Sequence, residues 1–597
     1  MTTATPHETR PAAPADWHRE RAEESARQAA VVSDAARRIG RFRLTAFALF
    51  VLACVWAVTP AAPLPWASLI AAVVTLAAFA LLVRRHRENR AEFTALEHRR
   101  IYHQRAVHRI AREWTDLPVP RTTADIANHP YASDLAITGP SSLLQLLDVT
   151  SSAPGRPTLA DWLLGPPPPA VTIAARQLAV RELAARDDVR VELGVLAIGV
   201  GELDPGALER FFAWCETEGS LADRHTLLWV GRALTGLIVA AILLQAASIL
   251  ANPWWLAVVL AARLFRVAVR RSAQDSSAIP GISFTALGGH RAMLAVIAGA
   301  AFDTPRLAAL VGTLREAPGA AAALGRVERI AAWAEVRQSP MLHFALDWLF
   351  LWDFHVGAAF DNWKRTAGRH VRGWFRTLGE FEALTALSTL AHDQPHWAFP
   401  GVHDDAPVTL EAAELGHPLI ADAQRVANDV TVGPPGTFLL ITGSNMSGKS
   451  TLLRAIGVNC VLAQAGGPVC ASSYLSHTLR VYASIRIEDS LANGVSLFMA
   501  ELRRLKSVVD AARTDVAGQP PVLYLFDEML HGTNSSERRV AARIVLEHLL
   551  EAGAIGAVTS HDLSLASAEP IQSAARYVSF ADSIDRTSGT PVLHFDY

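Results

Sequence analysis

Three short runs near the carboxyl-terminal end of this 597-residue chain carry the residue types that could do chemistry. The first, Gly443-Ser444-Asn445-Met446-Ser447-Gly448-Lys449-Ser450, fits G-x-x-x-x-G-K-[ST]. Phe438 to Thr442 before it is a short apolar run that predicts a buried parallel strand, and from Thr451 onward apolar residues recur at helical spacing. Strand, glycine loop and helix form the context in which backbone N–H groups and a helix N-terminus cradle phosphates. In that setting Lys449 contacts the β- and γ-phosphates of a nucleotide and the Ser450 hydroxyl ligates Mg²⁺. Only three of the 55 basic residues are lysines, Lys364, Lys449 and Lys506, so the lysine in this loop is not background.

The second run, Val522 to Glu528, is an apolar strand ending in two acids. Asp527 is expected to hold the Mg²⁺, directly or through water. Glu528 is expected to orient and deprotonate an attacking water, the residue type that separates hydrolysis from mere binding. The third run, Ala557-Val558-Thr559-Ser560, ends another strand with His561 at its tip, where an imidazole can hydrogen-bond a γ-phosphate and sense its loss.

Taken together, these segments resemble the MutS family of ATPases. Gly443 to Thr451 is similar to the family's phosphate loop, including the Asn445-Met446 pair. Asp489 to Glu501, DSLANGVSLFMAE, looks like its signature segment, and Asp527 to Ser535 resembles its acidic motif and following loop. Gly466 to Ala471 looks like the turn after the first helix, and Ser141 to Pro166 with the run from Ala175 resembles the helical core. The resemblance implies ATP and Mg²⁺ as ligands and a homodimer in which Ser496 reaches the γ-phosphate held by the other subunit. His417, Pro418 and Asn428 match the stretch before the loop. Arg425 and Val426 stand where the family tends to carry an aromatic and an apolar residue against adenine, and a guanidinium could stack there instead. No counterpart is expected of the mismatch-reading domain with its Phe-x-Glu wedge, of the C-terminal helix-turn-helix, or of a nuclease segment.

Positioning these residues falls to a chain of unusual composition, 51% hydrophobic and 19% charged with a formal net charge of −2. Leu44 to Val83 contains no charged residue and is broken by Pro60, Pro63 and Pro65, which predicts a membrane hairpin of two helices near the ~20 residues a span needs. Arginines at 37, 38, 41 and 43 and at 84, 85, 87 and 90 flank it, placing both ends in the cytoplasm. A second hairpin is expected over Leu227 to Val267, with Trp254 and Trp255 as interfacial aromatics and Arg263 and Arg266 snorkelling. The run Trp348 to Phe360 is expected to be a core helix. No cleavable signal peptide is expected, and four scattered cysteines without a C-x-x-C pair exclude zinc and dithiol motifs.

The expected organisation is a polar helix over 1–43, hairpin 44–83, a charged cytoplasmic helix 84–120, a helical core 121–226, hairpin 227–270, a helical lever 271–405 and an ATPase domain 406–597. The expected fold class is multidomain: transmembrane hairpins, an all-α core and lever, and a carboxyl-terminal α/β P-loop ATPase, ABC-like and of the MutS type. Two functions fit. One is an inner-membrane ATPase that works as a dimer on DNA, in a process related to mismatch repair. The other is a membrane-tethered NTPase scaffold or remodelling machine acting on a protein or lipid partner. A transporter fits poorly, because the spans hold few polar residues to line a path and Leu-Ser-Gly-Gly-Gln is absent.

Overall fold

The computed structural model describes residues 13–58, 65–121, 126, 129–149, 152–201, 205–217, 224–274, 284–405, 407–444, 447–485, 497–513, 519–530, 535–561, 569–585 and 592–596. The chain forms two compact units, one of residues 1–118 with 194–199 and one of 119–193 with 200–597.

The first unit is a helical hairpin of α1 (Pro14–Val58) and α2 (Pro65–Ala111). Neither helix breaks at the expected boundaries 43/44 and 83/84: polar and apolar halves are one continuous rod. Small buried residues, Ala22, Ala29, Ala46, Ala72 and Ala106, let the two backbones approach along the seam. The polar end is held by His18 and His103, whose Nδ1 atoms lie 2.8 Å apart, with Trp17 edge-on to both rings. The apolar end carries Phe47 against Phe79, 5.5 Å between centroids. Most large side chains of the apolar half face outward, including Leu52, Val55, Leu69 and Val73.

The second unit begins with α3 (Leu143–Leu147), α4 (Gly155–Leu164), α5 (Ala170–Ala184), α6 (Asp187–Val200, whose end belongs to the first unit) and α7 (Pro205–Glu216). Next come α8 (His225–Ala246) and α9 (Trp255–Gln274), then α10 (Phe284–Gly299), α11 (Pro305–Arg315), α12 (Ala320–Ala334), α13 (Pro340–Phe350), α14 (Trp352–Trp363) and α15 (Arg369–Asp393). Among the described residues three helices are long and apolar enough to cross a membrane: those of the first hairpin and α8. The sequence reading expected four. Helix α9 does not qualify, and its arginines do not snorkel: Arg263 Nη1 lies 3.1 Å from Asp347 and Arg266 Nη2 lies 2.9 Å from Asp353. The expected core helix near Trp348 is two helices that meet at Leu351, a buried residue at φ 51°. Helix α14 is buried as expected, but α13 exposes one whole side.

Helix α15 is the spine of the helical core. Gly379 on it leaves no room for a side chain, since a Cβ would sit 2.5 Å from the Pro154 carbonyl. One turn on, Glu382 is buried and accepts a hydrogen bond from Ser152. Burial pushes the Glu382 carboxyl up to about 8, with the charge of Asp148 adding in the same direction.

The carboxyl-terminal domain has a four-stranded sheet and a six-stranded sheet. The smaller has the order β1-β5-β2-β3, with β1 (Gly401–His403), β2 (Leu410–Leu415), β3 (Asn428–Val432) and β5 (Ser473–His477). The larger has the order β10-β9-β4-β8-β7-β6, with β4 (Phe438–Gly443), β6 (Arg480–Ser484), β7 (Val522–Asp527), β8 (Ile555–Thr559), β9 (Ala575–Asp585) and β10 (Val592–Asp596). All pairs in it are parallel except β9 with β10. Strands β4, β7 and β8 are apolar and buried on both faces up to their carboxyl ends, as parallel strands covered by helices are. The helices α16 (Lys449–Ala465), α17 (Leu497–Arg513) and α18 (Ser535–Glu551) supply the cover, and α17 and α18 close a core around Leu505, Leu546, Tyr524 and Phe526. A short α19 (Ile571–Ala574) leads into β9.

A protonated Glu382 stabilises the fold fully below its unfolded pKa, near 4.5, and that stability drains away as pH rises through about 8. The Glu382→Gln variant cannot ionise. Its apparent Tm in detergent should therefore match the parent near pH 4.5 and exceed it by a margin that grows up to pH 8–9. Parallel Tm profiles across that window would refute the buried-acid assignment.

Candidate nucleotide site

The parallel register brings the three sequence runs to one edge. Ile441 on β4 lies opposite Thr559 on β8, and Thr559 lies opposite Asp527 on β7. The loop after β4, the acids after β7 and the histidine after β8 therefore emerge side by side at the carboxyl ends of the strands, where open parallel sheets bind ligands.

The loop itself is a backbone cradle. Gly443 has φ 142° and Gly448 has φ 96°, values that L side chains rarely adopt. A Cβ on Gly443 would also come within 2.8 Å of the Phe580 carbonyl and 2.9 Å of the Ser447 hydroxyl. Ser447 is buried and donates to the Ser444 carbonyl at 2.9 Å, which closes the turn. Lys449, the first residue of α16, is buried and its Nζ donates to the carbonyls of Gly443 (2.8 Å) and Ser444 (2.7 Å). Its amine is thus held in the mouth of the loop by groups that a phosphate oxygen could replace. Ser450 is half-buried beside it, and Thr451 is exposed. Asn445, Met446 and Ser496 lie outside the described residues.

Across the edge, Thr559 is fully buried and ties two strands together. Its hydroxyl donates to the Asp527 carboxylate and accepts the Glu528 N–H at 3.1 Å. Glu528 sits at φ 48°, so the chain turns sharply after Asp527 and sends the two carboxylates in different directions. The Glu528 carboxylate pairs with His561 Nε2. The histidine expected to face a phosphate therefore lies on the expected general base. Glu501, buried on α17, accepts the Leu530 N–H and so fastens the turn after the acids to the helix on which the signature segment ends.

Sequence reasoning found Lys449, Asp527, Glu528 and His561, but it missed Thr559 as anything more than a strand end. It also missed Asp134, 1% exposed, in the loop before α3. Asp134 binds Arg504 of α17 at 2.7 Å, accepts the Ile485 N–H at 3.0 Å, and its carbonyl accepts from Arg454 of α16 at 3.1 Å. No motif announces such a residue, because its partners lie more than 300 positions away. The Arg425 guanidinium lies 5.4 Å from the Trp397 ring centroid and donates to the Ile420 carbonyl at 2.9 Å. Val426 beside it is half exposed. His417 is buried, and burial, with the charges of Arg454 and Arg425, lowers it to about 4. It is therefore neutral at physiological pH, consistent with Nδ1 accepting the Leu419 N–H.

The model of MutS domain V matches residues 439–589, which contain this whole edge. Within that span the chain is similar to domain V of MutS proteins. Endonuclease MutS2 of Thermus thermophilus is 39% identical over 146 residues, 24% of this chain and 18% of that protein. DNA mismatch repair protein MutS 2 of Halobacterium salinarum is 34% identical over 200 residues, 32% of this chain and 21% of that protein. DNA mismatch repair protein MutS of Azorhizobium caulinodans is 32% identical over 213 residues, 33% of this chain and 22% of that protein. The chain thus spans about a fifth of the length of the curated MutS relatives it matches.

The fully buried Thr559 hydroxyl bridges the Asp527 carboxylate and the Glu528 N–H, so Thr559→Val should cost about 1–3 kcal/mol and lower the apparent Tm. Thr559→Ser, which keeps the hydroxyl, should recover most of the loss. A valine variant as stable as the parent would show that the bridge is not holding the edge.

Proposed function

We propose that this chain is a membrane-anchored ATPase of the MutS type that works as a homodimer on DNA. What carries the reading is the convergence of Lys449, Asp527, Glu528 and His561 at one sheet edge, beside a glycine cradle at a helix N-terminus.

In this reading the loop N–H groups and the positive end of α16 hold the phosphates of ATP. The Lys449 amine leaves the Gly443 and Ser444 carbonyls for the β- and γ-phosphates. Ser450 and Asp527 would hold Mg²⁺, since a hydroxyl and a carboxylate are the oxygen donors this hard cation takes, and the chemistry it would supply is charge neutralisation on the phosphate oxygens. Thr559 fixes the orientation of Asp527 through its hydrogen bond. Glu528 takes the proton from the attacking water. His561, bonded to Glu528 before nucleotide arrives, exchanges that carboxylate for the γ-phosphate, so the base is released as the substrate seats. Ser496 of each protomer completes the other's site, so turnover requires two chains. The three long apolar helices hold the assembly at the cytoplasmic face of the inner membrane, with both termini and the ATPase domain in the cytoplasm.

DNA as the working partner follows from the relatives, which are named as DNA mismatch repair proteins and an endonuclease. The apolar helices favour a second reading, a membrane-tethered NTPase scaffold or remodelling machine for a protein or lipid partner.

The Glu528→Gln variant should keep ATP binding and lose turnover by at least ~10²-fold; undiminished turnover would remove Glu528 from the base role. DNA binding should weaken linearly in log Kd against log salt, as release of counterions from the phosphate backbone requires. Absence of affinity at low salt would leave the scaffold reading.

A further inference from the structure

Helix α13 is built inside out. Met341, Leu342, Phe344, Ala345 and Trp348 point outward, with Met341 88% and Phe344 60% exposed. His343 and Asp347, four residues apart on the opposite side, point inward, and Asp347 is buried. Inside, Asp347 pairs with Arg263 at 3.1 Å and with Arg266. Asp353 pairs with Arg266 at 2.9 Å, Arg337 at 3.0 Å and His343 at 3.0 Å.

In water both sides of such a helix are unfavourable. The outward face leaves large apolar area wet, and the inward face strips ions of solvent for little net gain. In lipid the first cost disappears, and ionisable groups that face the bundle interior in pairs are the arrangement expected at membrane depth. The cluster is not a metal site in this arrangement, because arginines already occupy both carboxylates.

The surroundings say which solvent covers the face. The junction at Leu351 shares a buried cluster with Ile238, in the middle of α8, and with Val259 and Ala262 in the first half of α9. Thr235 of α8 lies 3.0 Å from His355 of α14, and a Cβ on Gly231 would strike the Phe354 ring. The start of α14, and with it the α13 face, is therefore fixed at a level within α8, the helix of this unit that is long enough to cross a bilayer. The exposed apolar face continues from α13 onto Leu237 and Leu243 of α8 and Leu260 and Leu264 of α9. With 11 residues, α13 is about 16 Å long at the α-helical rise, roughly half of the hydrocarbon core, so it cannot span.

We propose that α13 is a non-spanning membrane helix whose outward face, Met341, Phe344 and Trp348, is seated in the lipid bilayer beside α8, while the Arg263–Asp347 and Arg266–Asp353 pairs seal its inward face. The inference rests on the reading of α8 as a membrane helix.

The test places a nitroxide at Phe344→Cys or, separately, at Leu243→Cys on α8, in a full-length chain carrying Cys54→Ser; the other three cysteines are buried. The proteins are reconstituted in phosphatidylethanolamine/phosphatidylglycerol vesicles, and collisions with oxygen and with a water-soluble nickel chelate are compared. The expected result is an oxygen preference at Phe344 as strong as at Leu243. Oxygen preference at Leu243 with nickel preference at Phe344 would overturn the inference and leave the α8 span intact. Nickel preference at both would overturn the α8 reading and the inference with it. A Phe344 label shielded from both reagents and broadened by a second label would mean that another copy covers the face, which also overturns it. Met341→Cys gives the same reading if Phe344→Cys does not reconstitute.

Discussion

The parallel register of β4, β8 and β7 is the constraint on which the candidate site depends. Because these strands run the same way and pair residue by residue, the peptide after Gly443, the peptide after Asp527 and the peptide after Thr559 are delivered to one edge. A slip of one residue in β7 would turn Asp527 to the other face of the sheet. Burial on both faces makes that slip costly, since Leu523, Leu525 and Phe526 are packed without exposure. The Thr559 hydroxyl adds a polar lock to the same register. It joins β8 to the first acid and to the backbone of the second, at the point where the chain enters a left-handed conformation.

That edge is fastened to the helical core through α16 and α17. Gly457 of α16 lies so close to Leu135 that a Cβ would come within 2.6 Å, and Arg176 of α5 reaches the Ala465 carbonyl at the other end of the helix while stacking on Trp162. Asp134 joins the same loop of the core to Arg504 on α17 and to Ile485 at the end of β6. Ser496, the residue expected to act in the other subunit, lies in the sequence between these two attachment points, Ile485 and Arg504. Movement at the nucleotide edge therefore has a bonded route into α3, α4 and, through Ser152 and Glu382, α15. This is a set of contacts with named partners; coupling along it is a separate, measurable quantity.

Polarity is distributed differently in the two regions. The carboxyl-terminal domain buries its apolar strands and leaves charges such as Lys506 and Asp510 exposed, Lys449 and Glu501 being buried at the candidate site. The α8–α9–α13 group exposes leucine, phenylalanine and tryptophan and buries arginine against aspartate. On the proposed membrane reading two solvents reconcile these opposite arrangements, and the arginines expected to reach outward along α9 turn inward because Asp347 and Asp353 are there to receive them.

Much of the site was legible in local sequence. A glycine loop between an apolar strand and a helix, and two acids at the end of another strand, are short-range patterns whose meaning depends on neighbours within ten residues. The length of the uncharged run from Leu44 to Val83 is likewise enough to indicate membrane-length helices. What sequence could not supply were contacts between distant positions: Thr559 with Asp527, Asp134 with Arg504, Arg263 with Asp347, Glu382 with Ser152. The outward face of α13 was illegible for the same reason, because apolar residues at helical spacing look alike whether they meet a core or a bilayer. Local chemistry thus determined the glycine loop, the acids and the long apolar helices, since backbone preference and hydrophobic length are written residue by residue. Tertiary structure alone decided which side chains hold those acids in place and which way each helix turns its charged face, since burial and pairing exist only once distant segments share the same space.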